Sequence, residues 1–142
     1  MAKQLYSRIG EIGVDDLLAD PQNSTYVVTD EQIAEGASFR RGQLVTYDKT
    51  NNIVKAVTAG TDVPFGIVAS DVNCSDDEEE NGDTSVRVYV SGTFNAQSQL
   101  LDAGSVTSGS GDNATTTALD INSFYVALRE RGIILRNRAV AE

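Results

Sequence analysis

The stretch SVRVYVSGTFNAQ (residues 85–97) decides the fold. In an extended chain Val86, Val88 and Val90 fall on one face and Arg87 and Tyr89 on the other. This is the period-two alternation of a strand with one buried side. Gly92 breaks the pattern, and a glycine inside a strand marks a bulge or a close backbone approach.

Working outward, strand signals recur on the N-terminal side. PFGIVASDV (residues 64–72) supplies a strand over 65–69, whose near-continuous apolar character predicts burial on both faces. RGQLVTYDKTNNIVKAV (residues 41–57) reads as a hairpin with strands 43–47 and 53–57, joined by the turn chemistry of DKTNN. STYVVT (residues 24–29) has the β-branched and aromatic content of a strand. TDEQIAEG (residues 29–36) reads as one helical turn, capped by Thr29 or Asp30 and stopped by Gly36.

On the C-terminal side, DAGSVTSGSGDNATTTA (residues 102–118) is low in complexity and predicts a flexible surface loop. DINSFYVALRERG (residues 120–132) predicts the principal helix, with Asp120 as N-cap and Gly132 just past its end. Ile121, Phe124, Tyr125 and Leu128 line one face at helical spacing, a stripe that core packing explains. IILRNRA (residues 133–139) reads as a closing strand. The fold class is mainly β: a compact barrel-like or tulip-like body over residues 24–142 with one C-terminal helix, preceded by a flexible arm over residues 1–23.

The arm contains LYSRIGEIGVDD (residues 5–16), apolar at Leu5, Tyr6, Ile9, Ile12 and Val14 but weakened as a helix by Gly10 and Gly13, at roughly 1 kcal/mol each relative to alanine. It does not alternate as a strand either. Such a segment calls for something to cover it.

Composition narrows the function. A chain of 142 residues suits one domain with a real core. The net charge of −10 opposes nucleic acid and anionic membranes and suits a soluble protein. No apolar run approaches the ~20 residues of a membrane helix, and the start MAKQLYSRIG lacks the apolar core of a secretory signal. One cysteine, Cys74, permits no internal disulfide and fits a reducing cytoplasm. With no histidine, the commonest general base and metal ligand is missing, and Cys74 has no partner for papain-like activation. Neither a G-x-S-x-G nor a P-loop occurs. No enzyme activity, catalytic residue or cofactor is expected. A carboxylate-only hydrolase would need two acids facing one cleft.

Two charge clusters stand out. NCSDDEEENGDT (residues 73–84) holds Asp76, Asp77, Glu78, Glu79, Glu80 and Asp83 without a basic residue. Calcium would take such oxygens, giving the alternative of a calcium-binding β-rich adhesion module. Consecutive carboxylates point in opposing directions, however, so a solvated loop is the expectation and no metal ligand is assigned. At the opposite pole, Arg129, Arg131, Arg136 and Arg138 put half of the eight arginines in the last 14 residues. They suit an acidic patch on a partner or a neighbouring copy, or simply the helix dipole.

The succession FRRGQLVTYD (39–48), PFGIVASDV (64–72), VRVYVSGTFNAQ (86–97) and ALRERGIILRNRA (127–139) resembles the head decoration proteins of lambda-type tailed bacteriophages. The motifs keep their order from about residue 24 to residue 139. The resemblance implies a cement protein of the virion, made in the host cytoplasm. Such a protein binds the major capsid protein on the outside of the expanded head, usually as a homotrimer at three-fold and quasi-three-fold sites, and braces the shell against packaged DNA. It also implies that the N-terminal arm orders on the capsid. Leu5, Tyr6, Ile9 and Ile12 would then be apolar anchors, and Ser24, Thr25, Tyr26, Val27, Val28 and Thr29 the segment for strand addition. The acidic loop and the Ser/Thr tract are longer here than in the short members of that family.

Overall fold

In a computed structural model, described over residues 16–19, 25–75, 81–109 and 111–136, the valine stretch is the longest strand. The strands are β1 (Val27–Gln32), β2 (Leu44–Asp48), β3 (Ile53–Ala56), β4 (Pro64–Val68), β5 (Ser85–Asn95), β6 (Ser105–Ser108), β7 (Thr115–Ala118) and β8 (Ile133–Arg136). The helix α1 (Tyr125–Glu130) follows a 3₁₀ turn at Ile121–Phe124. As the alternation requires, Val86 and Val88 are buried and Arg87 is exposed. The register steps from Val28↔Tyr89 to Val27↔Ser91, which leaves Val90 as the extra residue of a bulge.

Beyond the bulge β5 changes partners. Its first half lies between antiparallel β1 and β4, and residues 92–95 pair in parallel with β8. The main sheet runs β1-β5-β4-β2-β3, with β8 attached to β5. It is not closed into a barrel. Among the described residues its edges β1 and β3 are linked by the single bridge Ile33↔Val54, after which the turn at Glu35 and Gly36 leads the chain away.

Two apolar clusters use the two faces of this sheet. One gathers Leu44, Ile67 and Phe94 under Phe124 and Leu128 of the helical segment, together with Ile133 and Leu135. The other gathers Val45, Val54, Val68, Val86 and Val88 with Phe39 and Val72. Neighbours in sequence, Leu44 with Val45 and Ile67 with Val68, therefore serve opposite faces. Burial on both sides is what made the β4 stretch so continuously apolar.

Three readings change. TDEQ is not helical: Thr29–Gln32 belong to β1, because ladder pairing with Arg87, Val86 and Ser85 outweighs a short run's helical propensity. The Ser/Thr tract carries a surface hairpin, β6 with β7, whose β-branched residues suit extended backbone. Tyr125 is 38% exposed and lies off the core stripe, since a 3₁₀ turn rather than an α-turn leads into α1. Phe124 and Leu128, four apart, carry the buried face alone with half-buried Ile121. The termini of the helical segment are as read: Asp120 Oδ1 accepts the Asn122 N–H at 2.9 Å, and Gly132 takes φ +96°.

Candidate docking edge

The N-terminal segment meets the body at two points on β5. Residues 16–19 form a strap along its second half. The Ala19 N–H donates to the Thr93 carbonyl at 3.0 Å, the Asn95 N–H donates to the Leu17 carbonyl at 2.9 Å, and Leu18 bridges Phe94. Asp16 Oδ1 accepts from Ser98 Oγ at 2.6 Å. Leu17 is fully buried in the cluster around Phe94 and Leu44. The arm drawn from the sequence as residues 1–23 therefore includes a stretch that the body holds as core.

The second point is Tyr26. Its hydroxyl donates to the same Thr93 carbonyl at 2.6 Å, and its ring stands edge-on to Tyr89 and Phe94. The ring lies against Gly92, which has φ +141° and where a Cβ would come within 2.3 Å of the ring carbon Cδ2. Gly92 is thus a close-approach glycine, one of the two roles read from the sequence, while the bulge lies two residues earlier.

From this anchor β1 runs along the sheet edge. Thr25 is exposed, Val27 and Val28 are 44% and 42% exposed, and the Thr29 hydroxyl donates to Glu31 at 2.7 Å. Asp30 faces Arg87 across the ladder at 3.6 Å in an exposed pair. Of the residues assigned to docking, Tyr26 is a structural anchor, and Thr25, Val27, Val28 and Thr29 lie at the accessible edge. Leu5, Tyr6, Ile9, Ile12 and Ser24 lie outside the described residues.

The charge clusters are tied to structure. Residues 76–80 of the acidic loop lie outside the described residues, but its two ends are stitched together. Asn73, buried with φ +55°, donates to the Ala37 and Asp83 carbonyls and accepts the Asp83 N–H. Asn81 bonds the backbone of Ser75 in both directions. Among the described residues no three acids, cysteines or histidines are grouped as a metal site. Cys74 Sγ donates to the Phe39 carbonyl at 3.0 Å. Arg131 donates to the Phe65 carbonyl at 3.1 Å with its guanidinium 4.8 Å from that ring's centroid, so it fastens the helix end to β4. Arg129 bonds the Tyr125 hydroxyl, and Arg138 lies outside the described residues.

A shallow cleft of about 510 Å³ lies between Tyr47, Lys49, Asp62, Val63, Phe65 and Arg131. Its carboxylate, Asp62, accepts the N–H groups of Thr58 and Ala59, as a loop-capping aspartate does. Among the described residues no helix is long and apolar enough to cross a membrane.

Sequence reasoning missed the strap. Its signal was the run Leu17-Leu18-Ala19 between Asp16 and Asp20, an apolar tripeptide with no reason to stay in water. No protein-family model matches the chain, and no curated protein matches it.

Proposed function

We propose that this chain is a head decoration protein of a tailed bacteriophage. It binds the outer surface of the expanded capsid through the major capsid protein, as trimers at three-fold and quasi-three-fold sites, and stabilises the virion shell against packaged DNA. The observation that carries this reading is the edge strand β1. Val27 and Val28 present exposed apolar side chains on the strand that ends the sheet among the described residues, the position at which a further strand would add. Tyr26 fixes the start of that edge to β5, so an incoming strand meets a pre-set backbone. The order of the four sequence motifs along the chain adds independent support.

Apolar anchors at Leu5, Tyr6, Ile9 and Ile12 then extend the contact from the edge. Three copies acting together strengthen it by ~10²–10⁴ over one copy alone. The test is co-sedimentation with expanded, decoration-free capsids, using the full chain and a form lacking residues 1–14. That deletion stops short of the strap and leaves Leu17 in place. Saturable binding near one copy per capsid subunit, weakened by the deletion, is the expected result. Absence of binding by the full chain would refute the proposal, and equal binding by both forms would remove the arm from it.

A further inference from the structure

The acidic loop is closed at its base by two asparagines. Asn73 donates to the Asp83 carbonyl and accepts the Asp83 N–H, both at 3.0 Å. Asn81 makes a second rung: its Oδ1 accepts the Ser75 N–H at 3.0 Å and its Nδ2 donates to the Ser75 carbonyl at 2.9 Å. Asn73 is buried and is followed by Cys74, whereas Asn81 is half-buried and is followed by an exposed glycine, Gly82. A Cβ at Gly82 would meet nothing within 4 Å, and among the described residues no acceptor takes the Gly82 N–H. Of the nine asparagines in the sequence, Asn81 alone precedes a glycine.

We propose that Asn81 is a site of spontaneous deamidation that opens the base of the acidic loop. The backbone nitrogen of Gly82, after losing its proton to hydroxide, attacks Cγ of Asn81. The new C–N bond closes a cyclic imide, the Cγ–Nδ2 bond breaks, and the side-chain nitrogen leaves as ammonia. Water then adds to one of the two imide carbonyls and reopens the ring to aspartate or isoaspartate. One water is consumed, one ammonia is released, and nothing is oxidised or reduced. Glycine favours the step because it has no Cβ to hinder the ring and its backbone turns freely. The exposed, unpaired Gly82 N–H is open to hydroxide. The pair with Ser75 works the other way: while it holds, the Asn81 amide is not free to turn onto Gly82, so ring closure waits on local opening of this rung.

The product does not remake the rung. A carboxylate accepts hydrogen bonds but donates none, so the Ser75 carbonyl loses this donor and meets a negative oxygen instead. The change adds a negative charge to a stretch that already holds Asp76, Asp77, Glu78, Glu79, Glu80 and Asp83, in a chain of net charge −10. Isoaspartate also lengthens the backbone by a methylene. The base of the loop is then held by Asn73 without its neighbouring rung. Other asparagines lack this combination: Asn95 is buried and precedes Ala96, and Asn51 is tied to the Asp48 carboxylate at 2.9 Å. The step needs no partner and is independent of shell binding.

Peptide mapping by mass spectrometry tests this on the full chain incubated at mildly alkaline pH. Asn81 is expected to be the first asparagine converted, as a mixture of aspartate and isoaspartate, at a rate that rises with pH. Gly82→Ala, which has room for its methyl group, should keep the wild-type melting temperature and react severalfold more slowly. The urea-unfolded chain should react severalfold faster than the native one, because the rung with Ser75 no longer holds the amide. In the aged protein and in Asn81→Asp, the Ser75 amide hydrogen should exchange faster than in fresh wild type. Earlier conversion of another asparagine, a product free of isoaspartate, a wild-type rate in Gly82→Ala, equal rates in native and unfolded chains, or unchanged Ser75 exchange would each overturn the proposal. Every readout is made without capsids, so its failure is distinguishable from failure of the decoration reading.

Discussion

Leu17→Ala tests the claim that the body begins at the strap rather than after residue 23. Leu17 is fully buried, in a cluster that includes Leu44, Ile67, Phe94 and Leu128. The substitution removes three carbons, worth ~2.4 kcal/mol at about 0.8 kcal/mol per buried methylene. The cavity left behind adds to this, bringing comparable core changes to about 3–5 kcal/mol. For a chain of this size each kcal/mol lowers the melting temperature by roughly 3–4 °C, so a fall of about 10–20 °C is expected. Urea unfolding should show a lower midpoint with an unchanged slope, the sign of a stability change within the same two states. Removing residues 1–14 should leave both quantities unaltered. If residues 16–19 belonged to a loose arm, Leu17→Ala would behave as a surface change, within about 0.5 kcal/mol. A loss that small would refute the reasoning. The same logic applies to truncation, because a deletion through residue 22 confounds loss of docking with loss of core.

Gly92→Ala places a methyl group against the Tyr26 ring at a backbone angle of φ +141° that side chains rarely adopt. It should cost about 1–3 kcal/mol by thermal unfolding, and a neutral result would show that the ring does not close on β5. Asp48 gives a pH-dependent contribution. The Asn51 side-chain amide donates to its carboxylate at 2.9 Å, and the Asn51 and Thr50 N–H groups with Lys55 add to the effect. Together they hold its pKa below the ordinary value of 3.8. A depressed folded pKa means stability that is complete above the unfolded value and lost as pH falls through the folded one. The stability difference between wild type and Asp48→Asn should therefore shrink below about pH 4 and stay level above it. A difference independent of pH down to strong acid would sink this assignment.

The legible parts of the fold are those in which local pattern and tertiary demand agree. Val86 and Val88 alternate with Arg87 because one side of β5 is core and the other is not, and nothing else competes there. The hairpin of β2 and β3 announces itself through Asp48, whose carboxylate accepts from the two following turn amides. β1 was misread over its second half because Asp30, Glu31 and Gln32 favour a cap and a helical turn in isolation. Only the distant Arg87, Val86 and Ser85 make them a strand. Tyr125 was misplaced for a related reason. Helical spacing assumes 3.6 residues per turn from the N-cap onward, and this segment opens with the 3₁₀ turn Ile121–Phe124.

The proposed docking edge divides along the same line. Its accessible half, Val27 and Val28, reads from β propensity alone. Its anchoring half does not, because Leu17, Tyr26 and Gly92 acquire meaning only when β5 brings Thr93 to both contacts. That anchoring bears on the proposed role. A decoration protein held by flexible chain alone would transmit little of the shell's strain to its own body. Here Leu17 is buried in the core, and the Ala19 N–H and the Tyr26 hydroxyl both donate to the Thr93 carbonyl. A load applied through the N-terminal segment thus falls on β5, which pairs with β1, β4 and β8. For shell bracing this is the arrangement with mechanical use, because the strand that bears the anchor contributes, as β2 and β4 do, to both apolar clusters. Weakening Leu17 should therefore weaken reinforcement of a decorated shell even where residues 1–14 remain bound, and heating decorated capsids carrying wild-type or Leu17→Ala protein would separate attachment from bracing.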